Sequence, residues 1–215
     1  AHYGVDALLA DALALAKEQG AERFHLVGHD WGGQLAWLLA ARHPERVRTL
    51  AVLSRPHPAA FARALASDPQ QSERSKHHRA FQDPNTAALL IEDGARRLRG
   101  MLLDHGVPER DAEAYVGALG SHTAMDAAVN WYRAAFQGAS ALAASDTPAV
   151  RVPTVFLWGD ADRTVGRAAA EATRDFVAAS YRFVELPGVG HFITDQAAER
   201  ATEELLAHLA AHARE

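Results

Sequence analysis

The chain has 215 residues, with 22 Lys plus Arg against 27 Asp plus Glu and a net charge of −5. That length holds one sizeable core with room for an inserted subdomain, and the acidic balance gives no electrostatic reason to expect nucleic acid or an anionic membrane as partner. With no cysteine, disulfide scaffolds, thiol catalysis and zinc–thiolate sites are excluded. Among the twelve histidines only His77-His78 are adjacent and no His-Glu-x-x-His occurs, so no metal site is expected.

Apolar residues at Leu8, Leu9, Ala12, Leu13, Leu15 and Ala16 recur near the helical period, which predicts a helix over residues 5–19, stopped by Gly20. Residues 23–27 read as a buried strand. Gly28-His29-Asp30-Trp31-Gly32-Gly33 follows, a small residue on either side of an acidic one. A strand must reverse sharply into a helix there, and a Cβ at Gly28 or Gly32 is expected to collide with neighbouring backbone. The turn lifts the Asp30 carboxylate to the N-terminal end of a helix over residues 32–42. The positive end of that helix keeps the carboxylate ionised and would stabilise a developing oxyanion. Pro44 ends the helix, and residues 47–54, rich in Val and Leu, form a second strand. Helix, strand, helix, strand with short connections predicts an α/β fold with a parallel sheet and crossover helices.

From residue 56 to about 148 the strand-like runs vanish. Helical segments at 59–67, 70–82, 86–103, 109–119 and 123–137 are separated by Pro and Gly. The chain therefore divides into 1–55, which carries the first core elements, 56–148, an inserted helical lid, and 149–215, which completes the core. A strand returns at Val152-Pro153-Thr154-Val155-Phe156-Leu157-Trp158 and ends in Gly159-Asp160-Ala161-Asp162. A helix over 167–179 and a short strand over 182–186 lead to the turn Pro187-Gly188-Val189-Gly190-His191. Residues 197–213 close the chain as an amphipathic helix with Leu205, Leu206 and Leu209 inward. No apolar run approaches the length of a membrane span and the first residues lack a signal-peptide pattern, so a soluble, cytoplasmic protein is expected.

Asp30, Asp160 or Asp162, and His191 follow the C-terminal ends of three predicted strands, the edge at which open α/β sheets bind ligands. Their order is nucleophile, acid, histidine. Attack at an sp3 carbon needs an anion already formed, and a carboxylate is ionised without help. The product is an alkyl ester, whose carbonyl is then open to a water deprotonated by histidine, with the acid orienting the ring. The Trp31 backbone N–H could serve the resulting oxyanion.

Val27-Gly28-His29-Asp30-Trp31-Gly32-Gly33 resembles the nucleophile turn of the epoxide hydrolases in the α/β-hydrolase superfamily, and haloalkane dehalogenases share the Asp-Trp pair. The resemblance implies an α/β-hydrolase fold, mostly parallel and with an inserted helical lid. It also implies a cofactor-free hydrolase that opens an epoxide to a vicinal diol through an ester on Asp30. Trp158-Gly159-Asp160-Ala161-Asp162 resembles a family stretch whose second aspartate is the acid, which gives that role to Asp162 and leaves Asp160 as a turn former. Gly188 to Phe192 resembles the family's histidine loop. Asn130-Trp131-Tyr132-Arg133 resembles the lid motif carrying one of two tyrosines that hold the epoxide oxygen, so Tyr132 inherits that part. The second tyrosine is expected near residues 76–82, where His77 occupies its place and is expected to donate in its stead. Trp31, His29 and His77 complete the set facing substrate or oxyanion, and the implied substrate is a small, apolar epoxide.

The resemblance covers nearly all of this chain but not all of the family domain. Members begin with several strands and a His-Gly-x-Pro loop that supplies a second oxyanion donor, and His2-Tyr3-Gly4 is not that motif. The chain reads as the C-terminal two-thirds of such a domain, with one sheet edge uncovered, which leaves a homo-oligomer or a complementing N-terminal segment open as partners. Two alternatives stand beside the main reading. One is a haloalkane dehalogenase using the same Asp30, Asp162 and His191; the other is a non-catalytic fragment or binding module lacking the oxyanion loop.

Overall fold

In a computed structural model of the protein, residues 3–135 and 147–213 are described. The end of the helix expected over residues 123–137 and residues 138–146 of the insertion lie outside them. Four strands, β1 (Phe24–His29), β2 (Val47–Leu53), β3 (Thr154–Gly159) and β4 (Tyr181–Leu186), pair in that order, all parallel. Helix α1 (Val5–Glu18) precedes β1, and α2 (Trp31–Arg42) joins β1 to β2. Although far apart in sequence, β2 and β3 are direct neighbours, with Leu50 opposite Thr154 and Leu53 opposite Leu157. Everything between them is therefore an excursion from a continuous sheet. It consists of α3 (Pro58–Ser67), α4 (Pro69–Arg74), α5 (His77–Ala80), α6 (Thr86–Asp104), α7 (Glu109–Leu119) and α8 (His122–Ala135), with no strand among the described residues. After the sheet resumes come α9 (Arg167–Ala172), a 3-10 turn (Thr173–Phe176), α10 (Ile193–Gln196) and α11 (Ala198–Ala211).

The two-residue period of the strands sorts their side chains onto two faces. Leu50, Val52, Phe156 and Trp158 pack with Trp37, Leu38 and Leu39 of α2 on one face. Ala51, Leu53, Val155 and Leu157 pack with Ile193 and Ala201 of the closing helices on the other. Covered on both faces, β3 is buried from end to end, each large apolar side chain contributing about 1.5–3 kcal/mol. A separate apolar cluster, including Leu98, Leu102, Val107, Met125 and Val129, holds α6, α7 and α8 together. The helical excursion has a core of its own.

Several expectations are corrected. Strand β1 lies at the sheet edge among the described residues, and α11 packs over β2 and β3 instead, so Val27 is 49% exposed and only Gly28 of the strand is buried. In α11 the inward stripe is Ala201, Leu205 and His208, spaced by four and three, whereas Leu206 is 61% exposed. The helix expected over 70–82 is two short ones. The buried Gln71 side chain donates to Ser75 Oγ and to the Thr164 carbonyl, tying α4 to the loop after β3 and ending it at Ser75. The helix expected over 167–179 stops early. Thr173 Oγ1 accepts from the His57 N–H and donates to the Ala169 carbonyl, after which Val177 turns extended to pair with Val150. Helix α6 is broken at residues 92–95, where Asp93, Gly94 and Ala95 take left-handed φ of 51°, 67° and 62°.

Candidate active site

At the end of β1 the chain turns on Asp30, held at φ 49° and ψ −116°. This strained conformation persists because its surroundings dictate it. A Cβ on Gly28 would run into the Gly32 carbonyl, and one on Gly33 would stand 2.8 Å from Val52 Cγ1. Space at Gly32 itself is open, contrary to expectation: its Cβ would meet nothing within 4 Å. The crowding is thus at Gly28 and Gly33, where the turn folds back on itself and on β2. The Asp30 N–H reaches the Leu53 carbonyl of β2, and its own carbonyl accepts the first bond of α2 from the Gln34 N–H at 2.9 Å. First-turn amides such as that of Trp31 have no intrahelical acceptor.

Asp30, His191 and Asp162, remote in sequence, form one hydrogen-bonded line. His191 Nε2–H donates to Asp30 Oδ1 at 3.0 Å and Nδ1–H donates to Asp162 Oδ2 at 2.8 Å. Asp162 is anchored from behind, its Oδ1 accepting from the N–H of Thr164 (2.6 Å) and of Val165 (3.0 Å). The side chain of Asp162 is 0% exposed and that of Asp30 32%, so only Asp30 can be reached by a reactant. Burial opposes charge on all three groups, but mutual attraction wins. Burial alone would lower the His191 pKa, yet the adjacent Asp162 and Asp30 lift it to about 10. Burial would raise Asp30, yet the hydrogen bond and charge of His191, with Arg55 and His29 nearby, hold it well below the usual carboxylate range. Asp162 is likewise held down, against burial, by His191 and its two backbone amides. The resting site is an imidazolium between two carboxylates.

The loop carrying His191 is held at several points. Asp160 Oδ1 accepts from Gly188 N–H at 2.6 Å, which fits its reading as a turn former. The His191 carbonyl accepts from Ser54 Oγ–H at 2.6 Å and from His29 Nε2–H at 2.9 Å. That second bond corrects the expected role of His29. Burial and the neighbouring His191 lower its pKa, so the ring is neutral; its single N–H is committed to this carbonyl, and it has no proton for an oxyanion. Gln196 bridges outward, accepting from Gly190 N–H at 2.7 Å and donating to the His105 carbonyl at the end of α6 at 2.6 Å. Tyr115 of α7 donates to Asp195 at 3.2 Å. Both bonds link the helical excursion to the histidine loop.

A cleft of about 990 Å³ opens above Asp30, between the sheet edge and helices α4 to α8. Trp31 and Tyr132 meet there edge to face, ring centroids 5.1 Å apart. Burial, and then the Asp30 charge, push the Tyr132 phenol upward, so it stays protonated and able to donate. His77 lines the same cleft, 6.0 Å from the Tyr132 ring. It is not the donor the sequence led us to expect. Its Nδ1 lies 3.1 Å from the Arg74 carbonyl, which can only accept, so the proton sits on Nδ1. Burial lowers its pKa, and the neutral ring then presents Nε2 as a lone pair. Sequence reasoning overlooked Ser54, His105, Tyr115 and Gln196. For Ser54 a signal existed, since it directly follows β2 at the sheet edge that carries the other groups. The rest sit on helix ends and faces with no motif around them.

The family model described as the alpha/beta hydrolase fold matches residues 1–198. Epoxide hydrolase 3 of Xenopus tropicalis is 33% identical over 201 residues, which are 89% of this chain and 54% of that protein. Epoxide hydrolase A of Mycobacterium tuberculosis is 27% identical over 246 residues, covering 96% of this chain and 75% of the relative. The chain spans about half the length of several curated relatives that it matches. A solved structure described among novel epoxide hydrolases from metagenomes of hot environments superposes with a TM-score of 0.83 at 28% identity, over 99% of this chain and 76% of that one. With a parallel sheet, a helical excursion after its second strand and an aspartate on a turn facing a histidine, the chain belongs to the α/β-hydrolase fold family.

Proposed function

We propose that this protein opens epoxides to vicinal diols through an ester on Asp30, with residues 56–148 acting as the lid. The observation that carries the reading is a partly exposed carboxylate hydrogen-bonded to an imidazolium, with a protonated phenol in the same cleft. The ionised Asp30 attacks an epoxide carbon, the C–O bond breaks, and the departing oxygen takes the proton of Tyr132. Ester formation removes one of the two negative charges that keep His191 protonated, so its pKa falls just when a base is needed. Its proton passes to the Tyr132 phenolate, and neutral His191 draws a proton from a water attacking the ester carbonyl. First-turn amides of α2, Trp31 among them, face the tetrahedral oxyanion. Collapse expels the diol oxygen, which takes the remaining carboxyl proton. Asp30 returns as carboxylate and His191 as imidazolium, and one water has been consumed.

The test is the intact mass of a His191→Gln variant before and after exposure to a panel of small epoxides. Without its base the ester should persist, as a gain of one epoxide mass that disappears when Asp30 is also changed to Ala. Folded protein that gains no mass with any epoxide would overturn the reading in favour of a different electrophile, such as an alkyl halide, or of a binding role.

A further inference from the structure

The same cleft contains a hydrogen-bonding group that this mechanism leaves unused. His77 lies at the start of α5, its ring 4.4 Å from that of His78 and 5.8 Å from that of Phe81, so its position is fixed by packing. Its Nδ1–H is held by the Arg74 carbonyl, and its Nε2 has no hydrogen bond among the described residues. Cations of the same segment do not offer an alternative reading. Lys76 is paired with Glu73, and Arg74 Nη1 donates to the Asp162 carbonyl at 2.5 Å. Arg74, Lys76 and Arg163 also line the cleft, but at His77 itself a substrate meets a lone pair, which takes a hydrogen-bond donor.

We propose that His77 Nε2 accepts a hydrogen bond from a hydroxyl next to the epoxide, so that the preferred substrates are 2,3-epoxy alcohols. This rests on the epoxide-opening reading of Asp30 and Tyr132. Tyr132 O–H donates to the epoxide oxygen while the neighbouring hydroxyl donates to His77, so the two oxygens are read with opposite polarity. That pattern fixes which end of the substrate faces Asp30. A substrate lacking the hydroxyl buries the His77 acceptor unpaired, and sites built to bind a polar group discriminate strongly against analogues without it.

The experiment compares 3-phenylglycidol with its methyl ether, which keeps the epoxide and the carbon skeleton but carries O–CH3 in place of O–H. The wild-type protein should favour the alcohol by about tenfold or more in kcat/KM. His77→Phe keeps the ring and removes the acceptor, and should bring the two probes to within about twofold by losing activity on the alcohol alone. His77→Gln, whose side-chain carbonyl still accepts, should retain part of the preference. Equal turnover of both probes by the wild type, or an undiminished preference in a folded His77→Phe variant, overturns the assignment. Both probes are also given to His191→Gln and read by intact mass. Adducts with both, alongside an unchanged ratio, would reject the role of His77 and leave the Asp30 chemistry standing; no adduct with either would remove both together.

Discussion

Ser54 is completely buried and held at a left-handed φ of 62°, a conformation that a residue with a Cβ adopts at a cost. Its hydroxyl and the His29 ring both donate to the His191 carbonyl, while its N–H pairs with Leu157. Strain and hydrogen bonding thus converge on the orientation of one imidazole. Ser54→Ala removes one of the two donors, worth about 1 kcal/mol, and should slow turnover about five- to tenfold. Alkylation of Asp30 does not need His191 as a base, so single-turnover ester formation should be unchanged. Ser54→Gly relieves the strain and loses the same donor, so if strain were what mattered the two variants would differ in turnover. Tyr132→Phe should do the opposite, slowing ester formation by about 100-fold or more while leaving hydrolysis of a preformed ester nearly intact. Equal effects on both steps would argue against Tyr132 as the acid.

Among the elements, α6 shows how a periodic pattern conceals a break. Residues 86–103 read as one helix because the apolar spacing continues past the interruption. The excursion's own core buries Ala95, and the chain takes three left-handed residues to put it there. Asp93 is exposed and lies in that stretch, and its pair with Arg96 at 3.3 Å is a surface contact of little worth. Asp93→Gly should therefore raise stability by about 0.5–1 kcal/mol, the left-handed penalty removed less the added freedom of the unfolded chain. A urea titration measures it, and a lower midpoint would mean the aspartate is favoured there for another reason. The strands were easier to read than the helices. Runs such as 152–158 and 47–54 carry β-branched and aromatic residues whose burial on both faces leaves a continuous apolar signal. Edge position leaves none: the apolar run at 23–27 reads as a buried strand, and only the pairing shows β1 at the edge among the described residues.

Over the whole molecule, buried histidines give stability a pH dependence with two arms. Burial pushes His57 down to about 4, His208 to about 4 and His78 to about 3, so each is neutral in the fold. The unfolded chain takes up protons at these positions near pH 6.5. Between about 6.5 and 4 it binds more protons than the native state, so stability falls as pH falls through that window. His191 acts in the other direction. With a native pKa of about 10, its contribution is complete below 6.5 and is lost as pH rises through 10. Urea midpoints measured from pH 4 to 10 should therefore decline on both sides of a maximum near neutrality, and His191→Gln should flatten the alkaline arm. A midpoint unchanged between pH 7 and 5 would contradict the buried, neutral state of these histidines.

The order of elements, the parallel α/β class and the helical excursion could be read from the sequence, as could the candidacy of Asp30, Asp162, His191 and Tyr132. Each depends on local spacing: apolar periods, glycines where a turn is tight, and a residue placed just after a strand. Where protons sit could not. His29 and His77 were both expected to serve substrate or oxyanion, and each was reassigned by a single carbonyl, that of His191 for one and of Arg74 for the other. The His191 carbonyl comes within reach of His29 only through folding, from 162 residues away, whereas that of Arg74 lies three residues from His77 and is set by the local turn. Burial then sets the charge of each ring. A histidine's type and position are local facts; its tautomer and charge depend on what the tertiary structure packs around it.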